Sequence, residues 1–157
     1  MIRQAKPQDK PALKQIIDLS FPRFFRYFAT HSINSQEGKV LVNETSGIVV
    51  GFAKLIDFTV AKQKYGCILW LAVHPEQRRK GTALELVEGG TKELKTDGAE
   101  AVFASVQRTN KASLGTFRKA GFRQVGFFGL WHLFSWRIFQ FYGDIWFAPG
   151  EIALMHR

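Results

Sequence analysis

Leu71-Ala72-Val73-His74-Pro75-Glu76-Gln77-Arg78-Arg79-Lys80-Gly81-Thr82-Ala83 is the stretch on which the reading of the fold turns. The apolar run that leads into it, residues 67–73, reads as a buried strand. A short polar loop opens at Pro75, and Arg78-x-x-Gly81-x-Ala83 runs into a helical pattern. The first N–H groups of a helix have no internal partner, and the helix dipole adds about half a positive charge beside them. Gly81 permits a positive φ and lets a ligand approach the backbone. Arg78, Arg79 and Lys80 supply charge that a phosphate diester can use. The bland alternative is a turn into a helix with solvated basic residues. The loop is not a P-loop, because no Gly-Lys-Ser/Thr follows a four-residue gap.

A second stretch lies one strand downstream: Thr109-Asn110-Lys111-Ala112-Ser113-Leu114-Gly115-Thr116-Phe117-Arg118-Lys119-Ala120-Gly121-Phe122. The pair resembles the GNAT superfamily of N-acetyltransferases. The first stretch is similar to that family's pyrophosphate loop, Arg/Gln-x-x-Gly-x-Gly/Ala, through Arg78, Gly81 and Ala83. The second is similar to Asn-x-x-Ala-x-x-x-Tyr-x-Lys-x-Gly-Phe, through Asn110, Ser113, Phe117, Lys119, Gly121 and Phe122. The resemblance covers residues 1–128, with a last strand near the C-terminus. It implies an α/β (α+β) fold with a mixed, mostly antiparallel sheet of six or seven strands. Helices cover both faces, and the sheet splays at its two central parallel strands.

The resemblance also implies a reaction, attack of an amine on the thioester of acetyl-CoA in a ternary complex. In that reading the backbone of Leu71, Ala72 and Val73 holds the pantetheine arm and offers an N–H to the thioester oxygen. Arg78 and the backbone of Arg79, Lys80, Gly81, Thr82 and Ala83 hold the pyrophosphate. Asn110 anchors the arm from the other side, in one motif with Ser113 and Phe117. Asn110 is also a sound N-cap for the helix that begins at Lys111. No metal is implied.

The proton-transfer residues of the family do not carry over. Phe117 stands where many relatives have a Tyr acid, Leu69 or Trp70 where many have a Glu base, and Ser105 at the alternative Glu position. General acid–base help is typically worth about 10²–10⁴-fold. A thiol of pKa about 8.5 leaves without much help. A lysine amine, pKa about 10.4, needs a base more than an α-amine of about 7.7–8.0. The missing base therefore tilts the reading slightly toward an α-amine or another weakly basic amine, on a peptide, a protein or a small molecule. His31, His74, His132, Tyr142 and Asp144 remain as candidate bases or relays. The vacant positions also motivate an alternative, an acyl-CoA-binding regulatory module with vestigial catalysis.

Composition sets the bounds. A chain of 157 residues is expected to form one domain, with an aromatic-rich C-terminal extension over 129–157. No apolar run approaches the ~20 residues of a membrane span, and Met1-Ile2-Arg3-Gln4 lacks the apolar core of a signal peptide. The single cysteine, Cys67, fits a reducing compartment, so a cytoplasmic location is expected. The net charge of +9 raises the question of nucleic acid. The charge, however, gathers near the two motifs: residues 108–123 hold Arg108, Lys111, Arg118, Lys119 and Arg123 without an acid. A polyanionic coenzyme accounts for that, and no nucleic-acid partner is expected.

Periodicity places the remaining elements. A strand is predicted at 2–5, and a helix at 9–20 with Leu13, Ile16, Ile17 and Ser20 on one face. A second helix at 22–30 carries Phe21, Phe24, Phe25 and Phe28 as an apolar stripe, read as core. By resemblance Phe24, Phe25, Arg26 and Tyr27 lie toward the acceptor. Strands at 39–43 and 48–57 form a hairpin, and 64–73 is the central strand. A helix at 82–96 turns Leu84, Val87, Thr91 and Leu94 inward, with Gly89 and Gly90 explained only by close packing. A strand at 101–106, a helix at 111–120 closed by Gly121, and a strand at 122–128 follow. A helix at 131–141 and a strand at 151–156 complete the chain. The aromatic tail, Trp131 to Phe147, is read as a cover for the domain, then as a homodimer contact, and least as a peripheral membrane surface, since Arg137 is the only cation in that run.

Overall fold

Two tight turns set the long antiparallel part of the sheet. Ser46-Gly47 joins strand β2 (Lys39–Thr45) to β3 (Ile48–Val60), and Ala61-Lys62 joins β3 to β4 (Gln63–Val73). All four turn residues have positive φ, the mirror-image turn geometry that matches strand twist. Ala61 and Lys62 carry no Gly or Asn signal, so the sequence pattern ends β3 too early. The computed structural model describes all 157 residues.

The other elements are β1 (Ile2–Gln4), α1 (Lys10–Ser20), α2 (Arg23–Asn34), α3 (Thr82–Thr96) and β5 (Val102–Gln107). They are followed by α4 (Lys111–Lys119), β6 (Arg123–Val125), α5 (Phe127–Phe134), α6 (Ile138–Asp144) and β7 (Glu151–His156). The seven strands form one sheet in the order β1-β2-β3-β4-β5-β7-β6. Every pairing is antiparallel except β4 with β5. The last strand is thus inserted between β5 and β6.

Helices cover both faces. On one face Leu86, Val87 and Leu94 of α3 and Leu114 and Phe117 of α4 bury Leu55, Ile68, Val102 and Leu154 of the sheet. On the other, Leu13, Ile16, Ile17 and Ala29 of α1 and α2 lie on Val42, Phe52 and Ala72. Beside them Leu130, Phe134, Ile138 and Phe141 of α5 and α6 lie on Tyr65, Cys67, Phe103 and Ala153. The glycine pair of α3 has a packing reason: a Cβ on Gly90 would sit 2.8 Å from Leu55 Cδ2. The helix rests on the sheet at that point, with Leu86 rather than Leu84 buried beside Leu94.

The structure revises three further sequence expectations. The tail is not one helix over 131–141: Ser135 has φ 51°, which ends α5, and a short 3-10 turn at Ser135–Arg137 leads into α6. The strand expected at 122–128 stops at Val125, and Phe127 already begins α5. The stripe Phe21, Phe24, Phe25, Phe28 is core only in part: Phe21 packs against the α1 cluster, and none of the four is fully buried. Phe24 is 69% exposed, and α2 buries Ala29 and Ser32 instead. An aromatic stripe at helical spacing has the period of a buried face, but nothing in the period says that a partner covers it.

Candidate active site

The parallel pairing of β4 and β5 ends early. It runs Gly66↔Val102, Cys67↔Phe103 and Ile68↔Ala104 and goes no further, although β4 continues to Val73 and β5 to Gln107. Leu71, Ala72 and Val73 pair with β3 on one side, opposite Ala53, Phe52 and Gly51. On the β5 side their edge is unpaired, so alternate N–H and C=O groups face an opening inside the sheet. Such an edge can pair with an extended polar chain.

A bulge shapes its wall. Lys54 pairs with Trp70 and Leu55 with Ile68, which leaves Leu69 as the extra residue of β4. The alternation is broken there, and Leu69 and Trp70 both turn to the face of α1, α2, α5 and α6. Trp70 meets the edges of Phe21 at 5.4 Å and Phe25 at 6.4 Å between ring centroids. Its buried Nε1–H has no partner in the protein.

Because β4 and β5 run parallel, their C-terminal ends lie at the same edge of the sheet, and α3 and α4 both begin there. Two helix N-termini therefore converge beside the opening. Gly81 is the N-cap of α3, with φ 87° and no side chain capping the first turn. A Cβ built on Gly81 would meet nothing within 4 Å, so the space beside the loop is open. Arg79 takes a positive φ of 63°, and Arg79 and Lys80 are exposed. Arg78 does something else. Its Nε donates to Val73 O at 3.1 Å and its Nη2 to Ser20 Oγ at 3.3 Å, which ties the loop to the end of β4 and to α1. His74 Nδ1 accepts from Glu76 N at 3.3 Å and shapes the turn.

Across the opening, Asn110 caps α4: its Oδ1 accepts from Ser113 N at 3.1 Å. That leaves the Nδ2 amide as its free polar group. Phe117 is buried, edge-on to Phe122 at 5.1 Å, and offers no proton.

On the other face a cavity of about 730 Å³ lies between the C-terminal end of α2 and the end of α6. Its lining includes His31, Glu37, Lys54, Asp57, Leu69, Asp144 and Trp146. Lys54 is 1% exposed, with its ammonium donating to Glu37 O and, at 3.4 Å, to Ser35 Oγ. Burial lowers its pKa against the opposing pull of Glu37. Burial raises that of Asp144, partly offset by the hydrogen bond from Gln140. Of the five candidate bases, the structure brings His31 and Asp144 to this cavity. His74 serves the loop, His132 is exposed on α5, and Tyr142 packs on Phe147 at 4.7 Å.

Sequence reasoning missed Lys54, and it missed Glu151. Glu151 Oε2 accepts from Ser105 Oγ and, at 2.9 Å, from Ala148 N. Lys54 and Glu151 stand at strand positions with no motif around them, and only the β5–β7 pairing brings Glu151 to Ser105. No cluster of three or more His, Cys, Asp or Glu side chains is placed to hold a metal ion, and no helix is long and apolar enough to cross a membrane.

The sequence model of the Acetyltransferase (GNAT) family matches residues 10–122, most of the chain. The chain belongs to the GNAT family. This GNAT protein is 29% identical over 134 residues to an N-alpha-acetyltransferase of Sulfurisphaera tokodaii, covering 79% of this chain and 80% of that one. It is 25% identical over 135 residues to an N-alpha-acetyltransferase of Saccharolobus solfataricus, with the same two coverages, 79% and 80%. Its fold is similar to that of a GNAT-family protein of Desulfovibrio desulfuricans, with TM-score 0.76 and 15% identity over 100% of this chain and 98% of that one. It is also similar to the ribosomal-protein-S18-alanine N-acetyltransferase of Escherichia coli, with TM-score 0.65 and 20% identity over 99% and 90% of the two chains. As a GNAT protein the chain is an acyltransferase, in a family that generally uses acetyl-CoA as co-substrate and transfers the acyl group to amines.

Proposed function

We propose that the protein is an acetyl-CoA-dependent Nα-acetyltransferase, acting in the cytoplasm on the free α-amine of a peptide or protein. The observation that carries this reading is the unpaired edge of β4 beside two helix N-termini. The N–H and C=O groups of Leu71, Ala72 and Val73 suit the amides of a pantetheine arm. The backbone from Arg79 to Ala83, with the α3 dipole behind it, suits a pyrophosphate. Arg78 acts indirectly, by fixing the loop. Asn110 Nδ2 and the start of α4, with Ser113, close the other side, and Phe117 supports that helix from the core. The thioester supplies an activated acetyl group and a thiol as leaving group. The acceptor reaches the opening through the cavity at Leu69, on the far face of the sheet.

An α-amine is favoured on two grounds. The two curated relatives above are N-alpha-acetyltransferases. A group of pKa about 7.7–8.0 is also partly neutral at pH 7, where a lysine amine of about 10.4 is not. The test is turnover of acetyl-CoA with paired peptides, one with a free N-terminus and one with a blocked N-terminus and an internal lysine. Mass spectrometry is expected to place the acetyl group on the α-amine of the first and none on the second. Tight acetyl-CoA binding with no transfer to any amine would favour the acyl-CoA-binding module instead.

The tail supports a second, smaller reading. Phe128 is 86%, Trp136 69% and Phe139 72% exposed, on α5, the turn that follows it and α6. We infer that this surface is a homodimer contact, because so much aromatic area is seldom left bare. Light scattering is expected to give a mass that rises toward twice the chain mass with concentration. A mass that stays at one chain throughout rejects the contact.

A further inference from the structure

We propose that Glu151 is the proton acceptor of acetyl transfer, reached through the hydroxyl of Ser105; this rests on the acyl-transfer reading above. The pairing of β4 with β5 ends at Ile68↔Ala104, so Ser105 is the first residue of β5 beyond it, beside the bulged Leu69 that lines the acceptor cavity. Ser105 points to the same face as Phe103 and Ala101 of its strand, the face that carries the cavity. Its hydroxyl donates to Glu151 Oε2. Glu151 opens β7, two residues before Ala153, the register partner of Ser105. The same Oε2 accepts the Ala148 N–H at 2.9 Å, so the carboxylate is held from both sides.

Two features separate this carboxylate from an ordinary surface acid. It is half-buried in a chain of net charge +9, yet it forms no ion pair. It is close enough to Cys67 to reinforce the effect of burial, which raises that thiol's pKa and leaves it protonated and inert. Ser105 occupies the place where the carboxylate of related enzymes is expected. Here the carboxylate stands one strand away and the serine connects it to the opening.

The step balances. The amine nitrogen forms the C–N bond at the acetyl carbonyl carbon. A proton on that nitrogen passes to Ser105 Oγ as the serine's own proton passes to Glu151 Oε2. The C–S bond breaks, its electron pair leaves with the thiolate, and Glu151 returns the proton to water.

Glu151→Gln and Ser105→Ala test this in the full chain. Glutamine keeps an oxygen for the Ala148 N–H, and thermal unfolding checks that the fold is retained. With a peptide α-amine, kcat is expected to fall about 10²-fold or more in each variant. KM for peptide and acetyl-CoA is expected to stay within about threefold, and the double variant to be no worse than either single one. With hydroxylamine, a weakly basic acceptor that arrives neutral, the loss is expected to shrink below about tenfold. Placing the acid directly, as Ser105→Glu in the Glu151→Gln background, is expected to restore part of kcat. A Glu151→Gln enzyme with near-normal kcat overturns the inference and leaves acetyl transfer intact, as does an equal loss on both acceptors. A wild-type protein that neither binds nor turns over acetyl-CoA overturns the underlying reading instead.

Discussion

Gly81→Asp abolishes acetyl-CoA binding: isothermal titration is expected to show Kd weakened at least ~100-fold, about 2.7 kcal/mol. Three effects combine at this position. The backbone sits at φ 87°, where a side chain other than glycine costs about 1–2 kcal/mol. The new carboxylate enters the space that the proposed pyrophosphate needs, between the exposed Arg79 and Lys80 and the first turn of α3. Like charges about 4 Å apart repel by about 4 kcal/mol at the dielectric typical of a protein surface, so a 100-fold loss is a modest expectation. A Cβ at Gly81 meets no protein atom within 4 Å, so the strained φ is the only cost to the fold, and thermal unfolding of the variant measures it apart from the loss of binding. Gly81→Asn isolates the charge. Asparagine tolerates the left-handed region and matches aspartate in shape, and it is expected to weaken binding only severalfold. Equal affinities for wild type and the Asp variant would remove the phosphate from this loop.

The loop's conformation was readable because it is set locally. Gly81 at positive φ, a helix beginning at Thr82 and a strand ending at Val73 are properties of thirteen consecutive residues. The same holds for Asn110, whose capping of Ser113 follows from its own helix start. The splay was expected from the family, and it appears as the loss of pairing after Ile68 and Ala104. What could not be read is what depends on register. The Lys54/Leu55 bulge turns Leu69 and Trp70 to one face, and no residue type announces it. Glu151 meets Ser105 across 46 residues of sequence because β7 is inserted beside β5. The hydrogen bonds of the Arg78 guanidinium to Val73 O and Ser20 Oγ were likewise not readable, because they join the loop to α1 across 58 residues. The aromatic tail failed for a different reason. Its residues repeat at several spacings at once, and the break at Ser135 comes from one backbone angle that the pattern does not encode.

Phe141→Ala is expected to destabilise the fold by about 3–5 kcal/mol in urea unfolding, the range for a large aromatic removed from a core. The ring is fully buried, 4.7 Å from Phe134 in a stacked pair, 4.7 Å from Phe103 edge-on and 5.9 Å from Phe58. It is therefore the joint between α5, α6 and the two strands β3 and β5. Helices of eight and seven residues are too short to persist alone in water, so α5 and α6 owe their form to this packing. Loss of the ring leaves a cavity that short helices can partly collapse into, which moves Asp144 and Trp146 at the cavity wall. The acceptor's KM is then expected to rise more than that of acetyl-CoA, whose proposed cradle lies on α3, α4 and β4. Phe141→Leu keeps most of the volume and is expected to cost less, about 1–1.5 kcal/mol. A Phe141→Ala loss below about 1 kcal/mol would mean that α6 does not seat on Phe103, and the path from the aromatic cover to the acceptor cavity would fail with it.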